Sequence, residues 1–581
     1  MKRAAFAALL FVIPFTVFGA SARRSVLVAT RSEPRLAVRP LAAGVDVSSP
    51  EHKYMDLGIV KGFSADLTDD EISALSKSPD VLFIEDDKPR YAMRMGLEPR
   101  VKASSSTAQL TPYGISLVRA PQAWLGGRGA TINVAVVDSG IDYNHPELKA
   151  AYQGGFNTFT QTNDAMDDNG HGTHCSGVIG AADNTIGVVG VAPLVHLWAA
   201  KVLDKNGSGK TSTVIAGVNW VVQKKAEVGG NWIISLSLGS CAPSTLESQA
   251  FDAAISAGIL VFAAAGNHDP TQLDECSATN NNAYSVSYPA AYPGVTAVAA
   301  VDFTKTVADF SNFGPEVALA APGVDVLSTF PVGTGSWSAV IPTGSAPVLA
   351  SPVAGSAAGT FTGPYVFCNL GDVGDFPASV NGKIALIKRG TLTFHDKAMN
   401  AKKAGAIGVV IFNKDTSPIN WTLIGKVDAN GQPNAGCSDP TSAVYATCKD
   451  DPADVAFAWP VTLGIPLADG TALAAQTPAP LTLSYNANDD YAIESGTSMA
   501  CPHAAGSAAT VWSMAPNATA AQIKQALLST AHDLGDPGVD QHYGAGLVDA
   551  EAAGKQIAPG AFGSGGSGTP VKGRQPGRRG H

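Results

Sequence analysis

Charge is scarce in this chain, and basic charge scarcer still. Only 15% of the 581 residues are Asp, Glu, Lys or Arg, and 49 acidic against 39 basic side chains leave a formal net charge of −10. A pI near 5.6 removes any electrostatic reason to expect a nucleic acid or an anionic membrane as partner. Long apolar runs are also missing: past Phe18 no stretch is long enough to span a bilayer, and the run Ala4–Phe18 is short and broken by Pro14. The HExxH pattern of zinc peptidases is absent, so His171 and His174 do not read as a metal pair, and His174 is assigned a structural role.

What is present begins with Lys2 and Arg3, the apolar run, and Ala20-Ser21-Ala22, which together read as a signal peptide cleaved after Ala22. The expected product is secreted and extracellular, its seven cysteines meeting oxidising conditions. A chain of this length exceeds what one core sustains, so several domains are expected. From Arg23 to Arg90 the pattern is a small α/β unit, with a helix from Thr68 to Lys77 opened by Thr68 and Glu71 as a capping box and a strand Val81–Glu85. Tyr91 to Ala108 reads as a linker. Between Thr111 and Gly335, strands Ile132–Asp138, Val195–Val202, Trp232–Leu238, Ile259–Ala264 and Val295–Ala300 alternate with helices Ser212–Lys225 and Ser244–Ala257, the pattern of a parallel sheet covered on both faces. The rhythm breaks after Pro331 and resumes at Tyr491; between them lies another strand and helix set (Lys383–Arg389, Phe394–Gly405, Ile407–Phe412, Pro460–Ile465). A helix follows from Thr519 to Ala531, and the Gly/Ser/Pro-rich tail from Gly563 reads as flexible.

Four short segments carry the chemistry: Asp138 at a strand end, His171 opening HGTHCSG, Asn267 closing AAAGN, and Ser498 inside GTSMACPH. Asp, His, an amide donor and Ser are what acyl transfer by a Ser/His/Asp triad requires. Asp142, Asp167 and Asp168 are the alternative acids, and their loop settings predict solvated surface carboxylates. The order Asp, His, Ser with these flanks resembles the subtilisin-like serine peptidases (subtilases). The resemblance implies a three-layer α/β catalytic domain, Ser498 as nucleophile, His171 as general base, Asp138 as its partner and Asn267 as oxyanion donor. It also implies that residues 23–103 are an inhibitory propeptide with its processing linker, that 104–340 and 488–560 form the catalytic domain, and that 341–487 are an inserted protease-associated (PA) domain, with 1–22 the signal peptide and 561–581 the tail.

Within that family, Ser208-Gly209-Lys210 and Ser237-Leu238-Gly239 match the strands that pair with substrate, Ala264, Ala265 and Gly266 bring small backbone close to it, and Ser287 matches the floor of the first specificity pocket, small and neutral. Gln109, Glu147 and Asn184, with carbonyls of Ala182, Ile186 and Val188, match a strong Ca²⁺ site, since six oxygens of mixed charge suit that ion. Cys175 and Cys501 read as free buried thiols. Cys241 is expected to bridge Cys276, and Cys437 to bridge Cys448, unless Cys368 replaces one of that pair; Leu392 stands where the family often has a cysteine. The expected partners are protein or peptide substrates and the chain's own propeptide, acting on a monomer. A transpeptidase or cyclase sharing the same acyl-enzyme, and an inactive binding module, are the rival readings.

Overall fold

The computed structural model describes residues 22–32, 47, 49–93, 109–268, 285–343, 348–415, 421–432 and 447–562. The expected signal peptide through Ser21, most of the linker, Cys276, Cys437 and the tail lie outside them. The chain divides into two units, residues 1–87 and 88–581.

In the first unit, β1 (Arg24–Thr30), β2 (Met55–Asp56), β3 (Gly62–Leu67) and β4 (Val81–Asp86) make an antiparallel sheet in the order β2-β3-β1-β4. The helix α1 (Asp69–Leu75) is capped by Thr68 and Glu71 as the sequence predicts, each satisfying the other's backbone N–H. Its core gathers Val26, Val28, Phe63, Leu67 and Leu75.

The second unit opens with β5 (Pro89–Ala92), where the sequence reading places the beginning of a linker. The sheet behind it contains β6 (Ile132–Asp138), β7 (Tyr152–Asn157), β8 (His196–Lys201), β10 (Asn231–Leu236), β12 (Ile259–Ala264), β13 (Thr296–Val301) and β14 (Val317–Pro322), in the order β14-β13-β12-β10-β6-β8-β7. All six pairings are parallel. β6 and β12 are buried along their whole length, as continuous apolar runs in a doubly covered sheet must be. Two short strands, β9 (Ser208–Lys210) and β11 (Leu238–Gly239), flank β5 instead. The helices that carry the site are α2 (His171–Gly180), α3 (Thr211–Val228), α4 (Thr245–Ser256) and α5 (Thr497–Met514); α2 is wholly buried, and α5 is buried from Thr497 through Trp512.

The insertion leaves this framework where Val326–Thr329 pairs with Tyr491–Glu494. Gly335–Pro342 and Leu481–Asp489 form its two antiparallel arms. Beyond them Tyr365–Phe367, Ile384–Lys388, Gly408–Phe412 and Val461–Ile465 build a parallel sheet with Ser351–Pro352 added antiparallel at its edge. No helix among the described residues is long and apolar enough to cross a membrane.

Candidate active site

Asp138 ends the central strand β6 with its carboxylate fully buried. Its Oδ1 accepts from the Ser139 N–H at 2.7 Å and lies 2.8 Å from His171 Nδ1. The imidazole is brought there because α2 begins at His171 and presses against the end of β6. A Cβ on Gly172 would stand 2.2 Å from the Gly140 carbonyl, so only glycine allows that approach.

Asp142 and Asp167 correct the expectation of solvated carboxylates: both are buried. Asp167 accepts from Ser139 Oγ, the Asn169 and Gly170 N–H groups, and both the N–H and hydroxyl of Thr173, so it caps the first turn of α2 and holds the turn that carries His171. Asp142 accepts from the N–H groups of Asn144 and Val332. Backbone donors from near and distant segments, with the Ser139 and Thr173 hydroxyls at Asp167, surround the two groups in place of water, and a sequence does not place them. Asp168 is exposed and paired with Lys201 at 2.6 Å, as expected of a surface acid.

Ser498 is the second residue of α5. Pro502 has no N–H to return to the Ser498 carbonyl four residues back. That carbonyl instead accepts Ser237 Oγ at 2.7 Å and Cys175 Sγ at 3.5 Å, which ties the start of α5 to β10–β11 and α2. Ser498 Oγ donates to the Ser237 carbonyl at 3.0 Å. Asn267 follows β12, and its Oδ1 accepts from the Thr497 N–H (2.9 Å) and hydroxyl (2.8 Å). With the oxygen so held, Nδ2 must face the cleft. It donates to the Met93 carbonyl at 2.8 Å, and the Ser498 N–H reaches the same oxygen at 3.3 Å.

Met93 is delivered by β5, which lies antiparallel between β9 and β11, Arg90 opposite Gly209, Tyr91 opposite both Ser208 and Gly239, and Ala92 opposite Leu238. The Met93 N–H donates to Ser237 O at 3.1 Å. Ser208, Gly209, Lys210, Ser237, Leu238 and Gly239 are thus brought together around one extended segment. A Cβ on Gly239 would meet the Tyr288 carbonyl at 2.5 Å and Met93 Cε at 2.9 Å. Ala264, Ala265, Gly266 and Ser287 are buried behind it: Ser287 N–H donates to Ala265 O, and Gly266 N–H to Thr497 Oγ1.

Asp138, His171 and Cys175 place one potential ligand atom each within 4.8 Å of one another. Burial pushes the Cys175 thiol well above the ordinary range, which keeps it protonated and poor as a metal ligand or nucleophile. His174 is buried too, its Nε2 at 3.0 Å and 3.2 Å from the carbonyls of Val326 and Ala492, and burial lowers its basicity. Cys175, Cys501 and Cys368 are free and buried; burial lifts the Cys501 and Cys368 thiols to about 12. Cys241 and Cys448 are disulfide-bonded, and the partners expected for them, Cys276 and Cys437, lie outside the described residues.

Of the expected calcium ligands, Gln109, Glu147, Ala182, Asn184 and Val188 converge. Glu147 is fully buried and accepts from Asn184 Nδ2 (2.6 Å), the Val188 N–H (3.2 Å) and the Tyr491 hydroxyl (3.1 Å). Gln109 Nε2 donates to the carbonyls of Ala182 (2.7 Å) and Val188 (3.4 Å). The Ile186 N–H donates to Asn184 Oδ1 and its side chain is exposed. Burial raises the Glu147 pKa, and no Lys, Arg or His among the described residues pairs with it. The two carbonyls thus meet the Gln109 amide, while the carboxylate of Glu147 meets the Asn184 amide, the Val188 N–H and the Tyr491 hydroxyl; carboxylate, amide and carbonyl oxygens are the donor types a hard cation takes.

Thr497, Met93 and Tyr491 are residues of the candidate site that sequence reasoning missed, and Asp167 was weighed only as an alternative to Asp138. Thr497 could have been found, because an amide donor needs a partner to fix its orientation and Thr497 adjoins the nucleophile candidate.

The Subtilase family model matches residues 129–359 and 417–546, the PA domain model residues 355–447, and the Peptidase inhibitor I9 model residues 29–93. Subtilisin NAT of Bacillus subtilis subsp. natto is 38% identical over 276 residues, 47% of this chain and 65% of that protein. This chain therefore spans slightly under two thirds of that relative's length. Subtilisin DY of Bacillus licheniformis is 42% identical over 228 residues, 39% of this chain and 77% of that one. A solved psychrophilic subtilisin-like protease of Pseudoalteromonas sp. AS-11 superposes with a TM-score of 0.53 at 29% identity, covering 79% of this chain and 100% of its own. With one family model matching well over half of its residues, the chain belongs to the subtilase family.

Proposed function

We propose that this chain is a secreted serine endopeptidase that matures by cutting its own Met93–Arg94 bond. The observation that carries this is the Met93 carbonyl, clasped by Asn267 Nδ2 and the Ser498 N–H while its strand is held between β9 and β11. Those two donors sit where charge develops on a carbonyl under attack. Ser498 Oγ, turned from the Ser237 carbonyl, would add to the Met93 carbonyl carbon as His171 Nε2 takes its proton. Asp138 holds the imidazole by its Nδ1 side and stabilises the cation. Collapse expels the Arg94 amine, which takes that proton and leaves Met93 esterified to Ser498. Water, deprotonated by His171, then releases Met93 as a carboxylate and restores the serine. The inhibitor model also ends at residue 93. In this layout residues 1–22 direct export, the segment from 23 to 93 is propeptide and inhibitor, and 341–487 are the insertion. Sequencing both termini of the purified protein tests it, with Met93 and Arg94 expected as the new ends; a first cut elsewhere overturns the assignment.

Asn267→Ala removes one of the two donors. The expected loss in kcat is about 10²–10³-fold, the size established for the corresponding donor of a subtilisin, with KM nearly unchanged. Steady-state kinetics on the mature enzyme checks this.

We also propose that Gln109, Glu147, Asn184 and the Ala182 and Val188 carbonyls hold Ca²⁺, with Ile186 contributing its carbonyl. Rotating the Gln109 amide by 180° would aim its oxygen at two carbonyls, an arrangement that only a cation between them favours. A ligand bound by the folded state alone stabilises by RT ln(1 + [L]/Kd), about 2.7 kcal/mol at 100 times Kd. Chelator is expected to lower the melting temperature of the Ser498→Ala precursor by several degrees and to leave Glu147→Ala in that background unmoved. An unmoved parent curve would remove calcium from the site.

A further inference from the structure

Arg90 is among the largest side chains in the chain to be fully buried, and it belongs to the strand lying in the cleft. Strand alternation turns it inward while Tyr91 beside it is 44% exposed. Its five N–H bonds are all used. Nε and Nη2 grip Glu247 Oε1 and Oε2 at 2.9 and 2.5 Å, Nη2 also reaches the Ala242 carbonyl at 3.1 Å, and Nη1 donates to Ser240 Oγ at 2.8 Å and the Pro89 carbonyl at 2.9 Å. Glu247 is itself fully buried in the first turn of α4, its N–H on Ser244 Oγ and its Oε2 2.9 Å from the Tyr292 hydroxyl.

Counting Met93 as the first residue before the cut, Arg90 is the fourth. We infer that Glu247 makes this peptidase select arginine at the fourth position before the scissile bond, whether in its own precursor or in other polypeptides. The inference rests on the peptidase reading above and adds a substrate class to it. When Arg90 departs with the propeptide, Glu247 keeps the Tyr292 hydroxyl as a donor but loses its cation, and a buried carboxylate without its cation is costly. A guanidinium restores the forked pair and serves Ser240 and the Ala242 carbonyl at once. Lysine, a compact point charge, lacks that planar fork. An apolar side chain leaves Glu247 and Ser240 unserved, and sites built to hydrogen-bond a group discriminate strongly against analogues lacking it. Ser287 imposes nothing of this kind on the residue next to the cut, so the charge requirement sits three residues away from the reacting carbonyl.

The test is hydrolysis of acetyl-Xaa-Tyr-Ala-Met-p-nitroanilide by the mature enzyme, with Xaa as Arg, Lys, Leu or Ala. We expect kcat/KM for Arg to exceed that for Leu and Ala by on the order of 10²-fold, with Lys between them. In Glu247→Gln the Arg-to-Leu ratio is expected to fall at least tenfold, and in Glu247→Leu to invert. A merely structural Glu247 would depress all four peptides alike and leave their ratios standing. Equal rates on Arg and Leu peptides by the wild-type enzyme, or faster hydrolysis of Leu, overturn the inference even where neither variant folds. Failure to hydrolyse any of the four, or a denatured protein, would overturn the peptidase reading itself.

Discussion

Ser498→Ala is expected to leave an uncut precursor, still carrying the propeptide with Arg90 and Met93, and to lower turnover by on the order of 10⁶-fold, the size found when a subtilisin loses its nucleophile. Both effects come from one atom. The Met93 carbonyl would keep both of its donors, because the residue 498 N–H and the Asn267 amide do not depend on the hydroxyl. The cleft would therefore stay occupied, with nothing to form the ester. Electrophoresis and intact-mass measurement on protein made in a host lacking other peptidases read the first effect. A mature-sized Ser498→Ala product would show that another enzyme cuts the chain, and residual turnover within 10²-fold of wild type would remove Ser498 from the nucleophile's role.

The candidate site could be picked out in the sequence because each member sits at or near the end of an element whose pattern is plain: INVAVVD runs straight into Asp138, and small-residue helices start at or beside His171 and Ser498. The middle of the sheet was legible for the same reason. Its two edges were not. β7 carries Gln153-Gly154-Gly155 where an apolar run would be, and β14, with three alanines in VALAAP, has no β-branched run to distinguish strand from helix. Pairings between distant segments were equally hidden. Arg90 and Glu247 stand 157 positions apart, and neither Arg90 in a presumed boundary nor Glu247 in an amphipathic helix signals the other. Asp142 and Asp167 failed in the opposite sense, since loop acids are usually wet and these are desolvated by backbone donors that only the folded chain assembles.

Asp138→Asn should cost about 10⁴-fold in kcat at neutral pH, a loss that Ser498 and Asn267 cannot compensate. Two N–H groups, from Ser139 at 2.7 Å and His171 Nδ1 at 2.8 Å, converge on the same oxygen, while Oδ2 has no hydrogen-bond partner among the described residues. An asparagine can meet this in two ways. If its oxygen takes the shared position, the His171 tautomer survives, but the buried NH₂ goes unsatisfied and no charge remains to stabilise the imidazolium. If its NH₂ takes that position it confronts the Ser139 N–H, and His171 must present a lone pair at Nδ1. The proton then resides on Nε2, where a base needs to receive one. Each arrangement disables general-base catalysis while sparing the β9 and β11 strands that hold β5 and are proposed to hold substrate, so KM should move little. Active-site titration with a serine-directed inhibitor, together with kcat and KM on one peptide, separates this from unfolding. A kcat loss below tenfold in folded enzyme would mean that Asp138 does not orient His171 in the reaction.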